Sequence, residues 1–385
     1  MTKSEDETPQ APETVAAQGL GWVDDATGAV TPGIHPSSTF LRDPDNQYRR
    51  GRAYARDDNP TFDQAEAVLA HLEKGAAAAL FASGMAAATA CFLALKPGDH
   101  VLAPKVMYWS LRDWLTRHAR AWGLDVELVD MTDLEALART MRPGETKLVW
   151  IETPANPLWG ITDIAAVAKI AHAGGARLAV DSTVATPVLT QPRTLGADIV
   201  MHSATKYLNG HSDVVAGALV TRADDDDWAR IKSVRIQGGG ILGSFEAWLL
   251  MRGMRTLFPR VRAASANAQK LAEALRANDN VAEVLYPGLG DFPGHAIAKR
   301  QMRGGFGAML SIRVKGGEGA AVAAAANVKI WKRATSLGGV ESLIEHRSSV
   351  EGANSPCPPD LLRLSVGIED ANDLIADLER ALAAR

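Results

Sequence analysis

Residues 179–217 read AVDSTVATPVLTQPRTLGADIVMHSATKYLNGHSDVVAG. One apolar run ends in Asp181, a second (DIVM) follows, and Lys206 then sits in a polar turn rich in Ser, Thr, Gly and His. Runs this short and this uniformly apolar read as strands covered on both faces, as in a parallel sheet. A carboxylate at the end of such a strand is costly unless it finds a partner. Among the side chains of the stretch, only the lysine amine forms a Schiff base with an aldehyde.

The same alternation extends on the N-terminal side. TFDQAEAVLAHLEKG places Phe62, Ala65, Val68, Leu69 and Leu72 at helical spacing and stops at Gly75. AAAALFAS, HVLAP, DVELVD and KLVWIETP read as strands, and GMAAATACFLALK, WSLRDWLTRHARAWG and DIAAVAKIAHAGG as the helices between them. In the second of these helices Leu111, Trp114, Leu115, His118 and Trp122 fall on one face, which we assign to the core. Residues 61–245 are therefore expected to form a doubly wound α/β domain with a mostly parallel sheet. Its functional groups should gather at the C-terminal strand ends: Ser83-Gly84, Glu152 to Asn156, Asp181 and the turn around Lys206.

Residues 246–385 have another character. They begin with a long helical stretch, FEAWLLMRGMRTLFPRVRAASANAQKLAEALRAN, expected to break at Pro259. Strands in VAEVLYPG, GAMLSIRVKGG and LLRLSVG and helices around AAVAAAAN and DANDLIADLERALAA predict a smaller α+β domain. Residues 1–60 read as a tail, mobile to about residue 15, and an aperiodic arm suited to lie on a neighbouring subunit.

Composition narrows the field. The chain has 385 residues, 46% hydrophobic and 22% charged, and a formal net charge of −4. That balance gives no reason to expect nucleic acid or an anionic membrane as partner. No apolar run approaches the roughly 20 residues a membrane span needs. The N-terminus resembles neither a secretory signal nor a transit peptide, and a cytoplasmic location is expected. Cys91 reads as a core residue and Cys357 as incidental, in keeping with a reducing compartment. His35, His202, His211, His295 and His346 lack ligand spacing, so no metal is expected.

If the aldehyde is pyridoxal phosphate, three further groups are needed, and each has a candidate. Asp181 can hold the pyridine nitrogen protonated. Ser83, Gly84 and Met85 open a helix whose free N–H groups favour a phosphate, and Ser203 and Thr205 add hydroxyls. Tyr108, ahead of a helix, can stack on the ring. Singly these signals are ordinary, since Ser-Gly before a helix is often only a cap. Their order along one α/β domain is what makes them specific.

YARDDNPT, FASGMAA, ETPANP, SATKYLNGHSDVVAGALV, SLGGVESLIEH and LLRLSVGIED, in this order along the chain, resemble the cystathionine γ-synthase/γ-lyase family, the trans-sulfuration group of pyridoxal phosphate enzymes. The resemblance runs from about residue 30 to the end. It implies the type I, aspartate-aminotransferase-like fold, with residues 61–245 as the cofactor-binding domain, and a homotetramer built as a dimer of dimers with shared active sites. It implies that Lys206 is the Schiff-base lysine and proton shuttle, that Asp181 pairs with the ring nitrogen, and that Asn156 touches the ring's phenolic oxygen. Gly84, Met85, Ser203 and Thr205 would bind the phosphate, with Tyr54 and Arg56 reaching it from the neighbouring subunit. Tyr108 matches the stacking tyrosine. Arg363 resembles the arginine for the substrate carboxylate, assisted by Ser336. The strand pattern agrees, because Leu362, Leu364 and Val366 share one face and Arg363 and Ser365 the other.

Several positions depart from the family pattern. Tyr-Gly-Gly-Thr has become Tyr108-Trp109-Ser110-Leu111, the residue before Tyr54 is Ala53, and Glu-His-Pro has become Glu345-His346-Arg347. Asp57 and Asp58 stand where small residues are usual; facing the pocket, they would favour a basic-tailed substrate such as canavanine. Leu337 resembles γ-acting members. The expected activity is therefore elimination of the γ-substituent of an L-amino acid of the cystathionine, homocysteine or methionine type. The rivals are γ-replacement on an activated homoserine, a cystathionine β-lyase and, remotely, a non-catalytic relative of the fold.

Overall fold

A seven-stranded sheet carries the strand ends that the sequence singles out. Its strands are β1 (Ala77–Phe81), β2 (His100–Pro104), β3 (Asp125–Val129), β4 (Thr146–Glu152), β5 (Arg177–Asp181), β6 (Ile199–His202) and β7 (Gly217–Thr221). The spatial order is β1-β7-β6-β5-β4-β2-β3. Strands β2 to β6 run parallel, and β7 lies antiparallel between β6 and β1. The chain of this computed structural model is described for residues 10–352 and 356–384.

Both faces of the sheet are buried, as the unbroken apolar runs require. Leu178, Val180 and Val200 pack into one hydrophobic cluster, while Ala179, Ile199 and Met201, which alternate with them, pack into the other. Strand order reverses between β2 and β4, since β3 was added on one side of β2 and β4 to β6 on the other. A doubly wound sheet opens a crevice at such a reversal, outside the carboxyl ends of its strands. The loop after β2 leads there to Tyr108, and β4 ends there in Glu152.

A second sheet of five strands follows: β8 (Val281–Leu285), β9 (Met309–Val314), β10 (Lys332–Arg333), β11 (Leu343–His346) and β12 (Leu361–Ser365), in the order β10-β11-β12-β9-β8. It is antiparallel except for the short β10–β11 pair. The helices Leu257–Arg276, Gly317–Asn327 and Ala371–Ala383 pack with it. No described helix is long and apolar enough to cross a membrane.

Three local expectations are corrected. The long helical stretch breaks at Arg255-Thr256, between the helices Ser244–Met254 and Leu257–Arg276, and not at Pro259. Pro259 falls in the first turn of the second helix, where its missing N–H has no intrahelical partner to lose. The helix from Trp109 to Trp122 contains a π turn, Leu115–Ala119. The extra residue moves the buried stripe from His118 to Ala119 and leaves Trp122 53% exposed. Finally, the end of the expected tail is a helix, Pro12–Gln18, with Val15 and Ala16 buried. Residues 1–9 of that tail lie outside the described residues.

Candidate active site

A cavity of about 580 Å³ opens over the strand reversal and collects groups from both sheets. Ser83, Gly84, Met85, Tyr108, Asn156, Asp181, Ser203, Thr205, Lys206, Ser336 and Arg363 all line it, so these expected site residues meet in one place. Trp109, Leu111 and Arg347, three departures from the family pattern, line it too, as does Leu337.

The lysine turn is built by its own hydroxyls. Thr205 donates through N–H to the Ala216 carbonyl, and its Oγ1 accepts from Ala216 N–H at 2.9 Å. This closes the loop between β6 and β7 and turns Lys206 inward. Lys206 Nζ donates to Ser336 Oγ at 2.8 Å. Burial, and then the neighbouring Arg363 charge, push the lysine pKa down to about 8. The neutral, nucleophilic form is therefore far more populated near neutral pH than in an ordinary lysine. Ser336 itself sits at φ 95°, a backbone region that costs a non-glycine residue energy.

Two carboxylates end adjacent strands, for Glu152 and Asp181 are register partners in β4 and β5. Glu152 Oε2 accepts from Tyr108 N–H at 2.7 Å, and its Oε1 accepts from Asn156 N–H at 2.8 Å. It thereby holds the Tyr108 loop and the Asn156 turn against one strand end. Asp181 Oδ1 accepts from Thr183 N–H at 3.0 Å. Burial raises the pKa of both acids, and Asp181 raises Glu152 further by repulsion.

The phosphate candidates converge on the helix Gly84–Leu93. Ser83 caps it, its Oγ accepting from Ala86 N–H at 3.0 Å. A Cβ at Gly84 would lie 2.7 Å from Ser203 Oγ, and one at Gly217 only 2.1 Å from the Ser83 carbonyl oxygen. Glycine at both positions lets the helix start, β7 and the Ser203 turn close into a cradle of N–H and O–H donors, the donor set a phosphate takes. With two buried acids short of a cation and an inward lysine of lowered pKa, these residues fit pyridoxal phosphate.

Arg363 is wholly buried in β12, on the same face as Ser365. Its Nη1 donates to Asn156 Oδ1 at 3.2 Å and its Nη2 to the Ser336 carbonyl at 2.9 Å. Glu345, opposite it in β11, pairs with it at 2.6 Å. Burial lowers the guanidinium pKa to about 10, which leaves it charged at neutral pH.

Four expected residues lie elsewhere. Tyr54, Arg56, Asp57 and Asp58 are outside the cavity of a single chain. Arg56 stands over the Tyr54 ring at 5.5 Å and pairs with Asp57 at 3.6 Å, while Asp58 pairs with Arg52 at 3.1 Å. Sequence reasoning had not named Thr183, Thr335, Val215 or Val350, which line the cavity. Thr183 had a readable signal, because an Asp at a strand end readily accepts from the N–H two residues on in an Asx turn, and Thr183 Oγ1 also accepts from Ser203 N–H at 2.8 Å. Val215 lies within the SATKYLNGHSDVVAGALV motif but carries no polar group to single it out, and Thr335 and Val350 lie in none.

A lysine of lowered pKa in one cavity with buried acids, an anion cradle and a buried arginine defines an enzyme that treats amino acids through an aldehyde cofactor. The chain belongs to the Cys/Met metabolism PLP-dependent enzyme family, whose description matches residues 13–383. It is 47% identical to a cystathionine gamma-synthase of Mycobacterium bovis over 93% of each chain. It is 42% identical to an L-methionine gamma-lyase of Treponema denticola over 94% of each. A solved cystathionine gamma synthase from Xanthomonas oryzae pv. oryzae, in complex with cystathionine, superposes with a TM-score of 0.93 at 40% identity, over 98% of each chain. The cofactor is pyridoxal phosphate, and the fold is the α/β architecture shared with these enzymes.

Proposed function

We propose that this enzyme eliminates the γ-substituent of an L-amino acid of the cystathionine, homocysteine or methionine type. The observation that carries the reading is Lys206 Nζ, of lowered pKa and bonded to Ser336 Oγ, in one cavity with the acids that end β4 and β5 and with Arg363. Pyridoxal phosphate, when bound, supplies an electron sink for the carbanion formed at the substrate's Cα.

The chain's own residues supply the rest. Lys206 would be the covalent attachment point and the base: its amine, once free, would take a proton from Cα, hand it on to the cofactor-bound substrate and, neutral again, take one from Cβ, as loss of a γ-substituent requires. Asp181 would hold a cationic ring nitrogen, and Gly84, Met85, Ser203 and Thr205 would hold the phosphate. Tyr108 would stack on the ring. Asn156, which accepts from Arg363, would hold the phenolic oxygen. Arg363 grips the α-carboxylate through its fork, with Ser336 beside it. Asp57 and Asp58 are tied to arginines outside the cavity of one chain, and this weakens the case for a basic-tailed substrate.

A second reading is γ-replacement by a thiol, favoured by the higher identity to the mycobacterial synthase than to the lyases. We also infer a cytoplasmic homotetramer in which residues 1–60 reach a neighbouring subunit and residues 61–245 and 246–385 form two domains. The support is an irregular arm that exposes Val23, Val30, Ile34, Leu41 and Tyr54.

Products decide between the readings. The enzyme should be assayed on cystathionine, homocysteine, methionine, canavanine and activated homoserine esters, with and without cysteine. The expected result is 2-oxobutyrate from the sulfur substrates. Cystathionine made from an ester plus cysteine would establish replacement, and pyruvate alone from every substrate would overturn γ chemistry.

A further inference from the structure

We propose that Arg347 is a positioning residue for Arg363, acting through Glu345 to keep the guanidinium fork available to the substrate carboxylate; this rests on the reading of Arg363 given above. Glu345 and Arg363 face each other across β11 and β12, so their pairing is built into the register. The pair is closed, with Arg363 Nη2 2.6 Å from Glu345 Oε2. A buried carboxylate with one guanidinium for partner takes up its charge and competes with any second carboxylate for the same N–H groups.

Arg347 eases that competition by drawing on the same atom. Its Nη1 donates to Glu345 Oε2 at 2.9 Å, and Arg363 Nη2 lies 2.6 Å from that oxygen. Arg347 is held from the far side, where its Nε pairs with Glu351 Oε1 at 2.8 Å. The result is a line of four charges, Glu351, Arg347, Glu345 and Arg363, with side chains no more than 7% exposed. Beyond Arg363 the line continues through Asn156 to Glu152 and the Tyr108 loop.

The charges of Arg347 and Glu351 offset each other, so Arg347 adds little net attraction for an anion. Its effect is one of place. By sharing Oε2 it divides the Glu345 charge between two guanidinium groups, and the i,i+4 pair with Glu351 pins the short helix Ser348–Glu351 whose Val350 lines the cavity. Arg347 also lines the cavity itself, and its Nη2 meets no hydrogen-bond partner among the described residues. Direct contact with substrate is therefore the competing account.

The test measures preference for a carboxylate in the holoenzyme. L-norleucine and n-pentylamine differ only in that group, and binding of each is followed by the visible absorbance of the cofactor. Arg347→Met is expected to lower the norleucine preference by about tenfold, the scale of one charge-assisted hydrogen bond, with pentylamine binding unchanged. Arg347→Lys, whose point charge cannot span Glu345 and Glu351, should fall between. Glu345→Gln combined with Arg347→Met should match Glu345→Gln alone. An unchanged preference in Arg347→Met overturns the proposal. So do equal losses for both probes, or additive effects in the double variant, which would mean direct contact. Should Arg347→Met not fold, an unchanged preference in Arg347→Lys overturns it equally. Arg363→Lys serves as the control: if it keeps the full preference, the reading of Arg363 fails, whatever Arg347 does.

Discussion

The two walls of the cavity are built on different principles. The wall at the ends of β4, β5 and β6 is made by backbone: Glu152 and Asp181 accept from main-chain N–H groups, and the Lys206 turn closes on Thr205 and Ala216. The wall at β11 and β12 is made by side chains, in an ion-pair line from Glu351 to Arg363. A strand end fixes a group that nothing else replaces. A line of shared charges fixes a group by several partners, and its loss is graded. The first wall should break all at once and the second by degrees.

The largest effect expected is at Lys206. Lys206→Ala removes attachment and base together, and activity on any substrate should fall by at least ~10³-fold. The variant should remain folded, because the ammonium's described side-chain hydrogen bond is to Ser336 Oγ alone. Circular dichroism with a visible spectrum after cofactor addition and desalting checks both points. A folded variant that still retains the cofactor's visible band covalently would sink the assignment.

Next comes the networked wall. Arg363→Lys keeps a charge and loses the fork, so KM for the amino acid should rise by roughly 10- to 100-fold with a smaller change in kcat. The loss is limited because Glu345 still has Arg347 as partner. A fall in kcat with KM unmoved would place Arg363 at the reacting atoms and end the contrast between the walls.

The same contrast explains what the sequence disclosed. Strand-end groups follow from short-range pattern: RLAVD ends in its acid, the Lys206 turn carries its own hydroxyls, and ASGM announces a helix start. The fold was legible for this reason, since unbroken apolar strands spaced by helices admit few arrangements. The ion-pair line was not, because Glu345, Arg347 and Arg363 meet only once β11 is placed on β12, and LIEH is too short and too polar to read as a strand. The π turn at Leu115–Ala119 was hidden likewise, for one inserted residue leaves the apolar spacing intact for a turn before it drifts. Tyr54 and Arg56 show the limit of a single chain: motif resemblance assigns them to the phosphate, and their own fold puts them elsewhere.

The smallest effect is in stability, and it probes the first wall without catalysis. Glu152 and Asp181 have pKa values above those of the unfolded chain, chiefly through burial. The native state then holds protons that the unfolded state has already released, and their contribution to stability, full at low pH, is lost as pH rises from the ordinary carboxylate range towards neutrality. The slope is at most about 1.4 kcal/mol per pH unit for each proton held. Lys206 acts in the opposite sense, but only above about pH 8, where its lowered pKa begins to favour the native state. Glu66, buried beside Arg235, is also raised and adds a similar decline. It bonds to Leu80 of β1 and to Arg235 and does not line the cavity, so its share is common to both forms and cancels when they are compared. A cationic ring nitrogen against Asp181 removes the reason for that acid to keep its proton. The cofactor-free protein should therefore lose melting temperature between pH 5 and pH 7 more steeply than the loaded one, and Asp181→Asn should shrink the difference. Parallel curves for the two forms would mean that Asp181 meets no cation when the cofactor binds, and the backbone-built wall would then serve the fold alone.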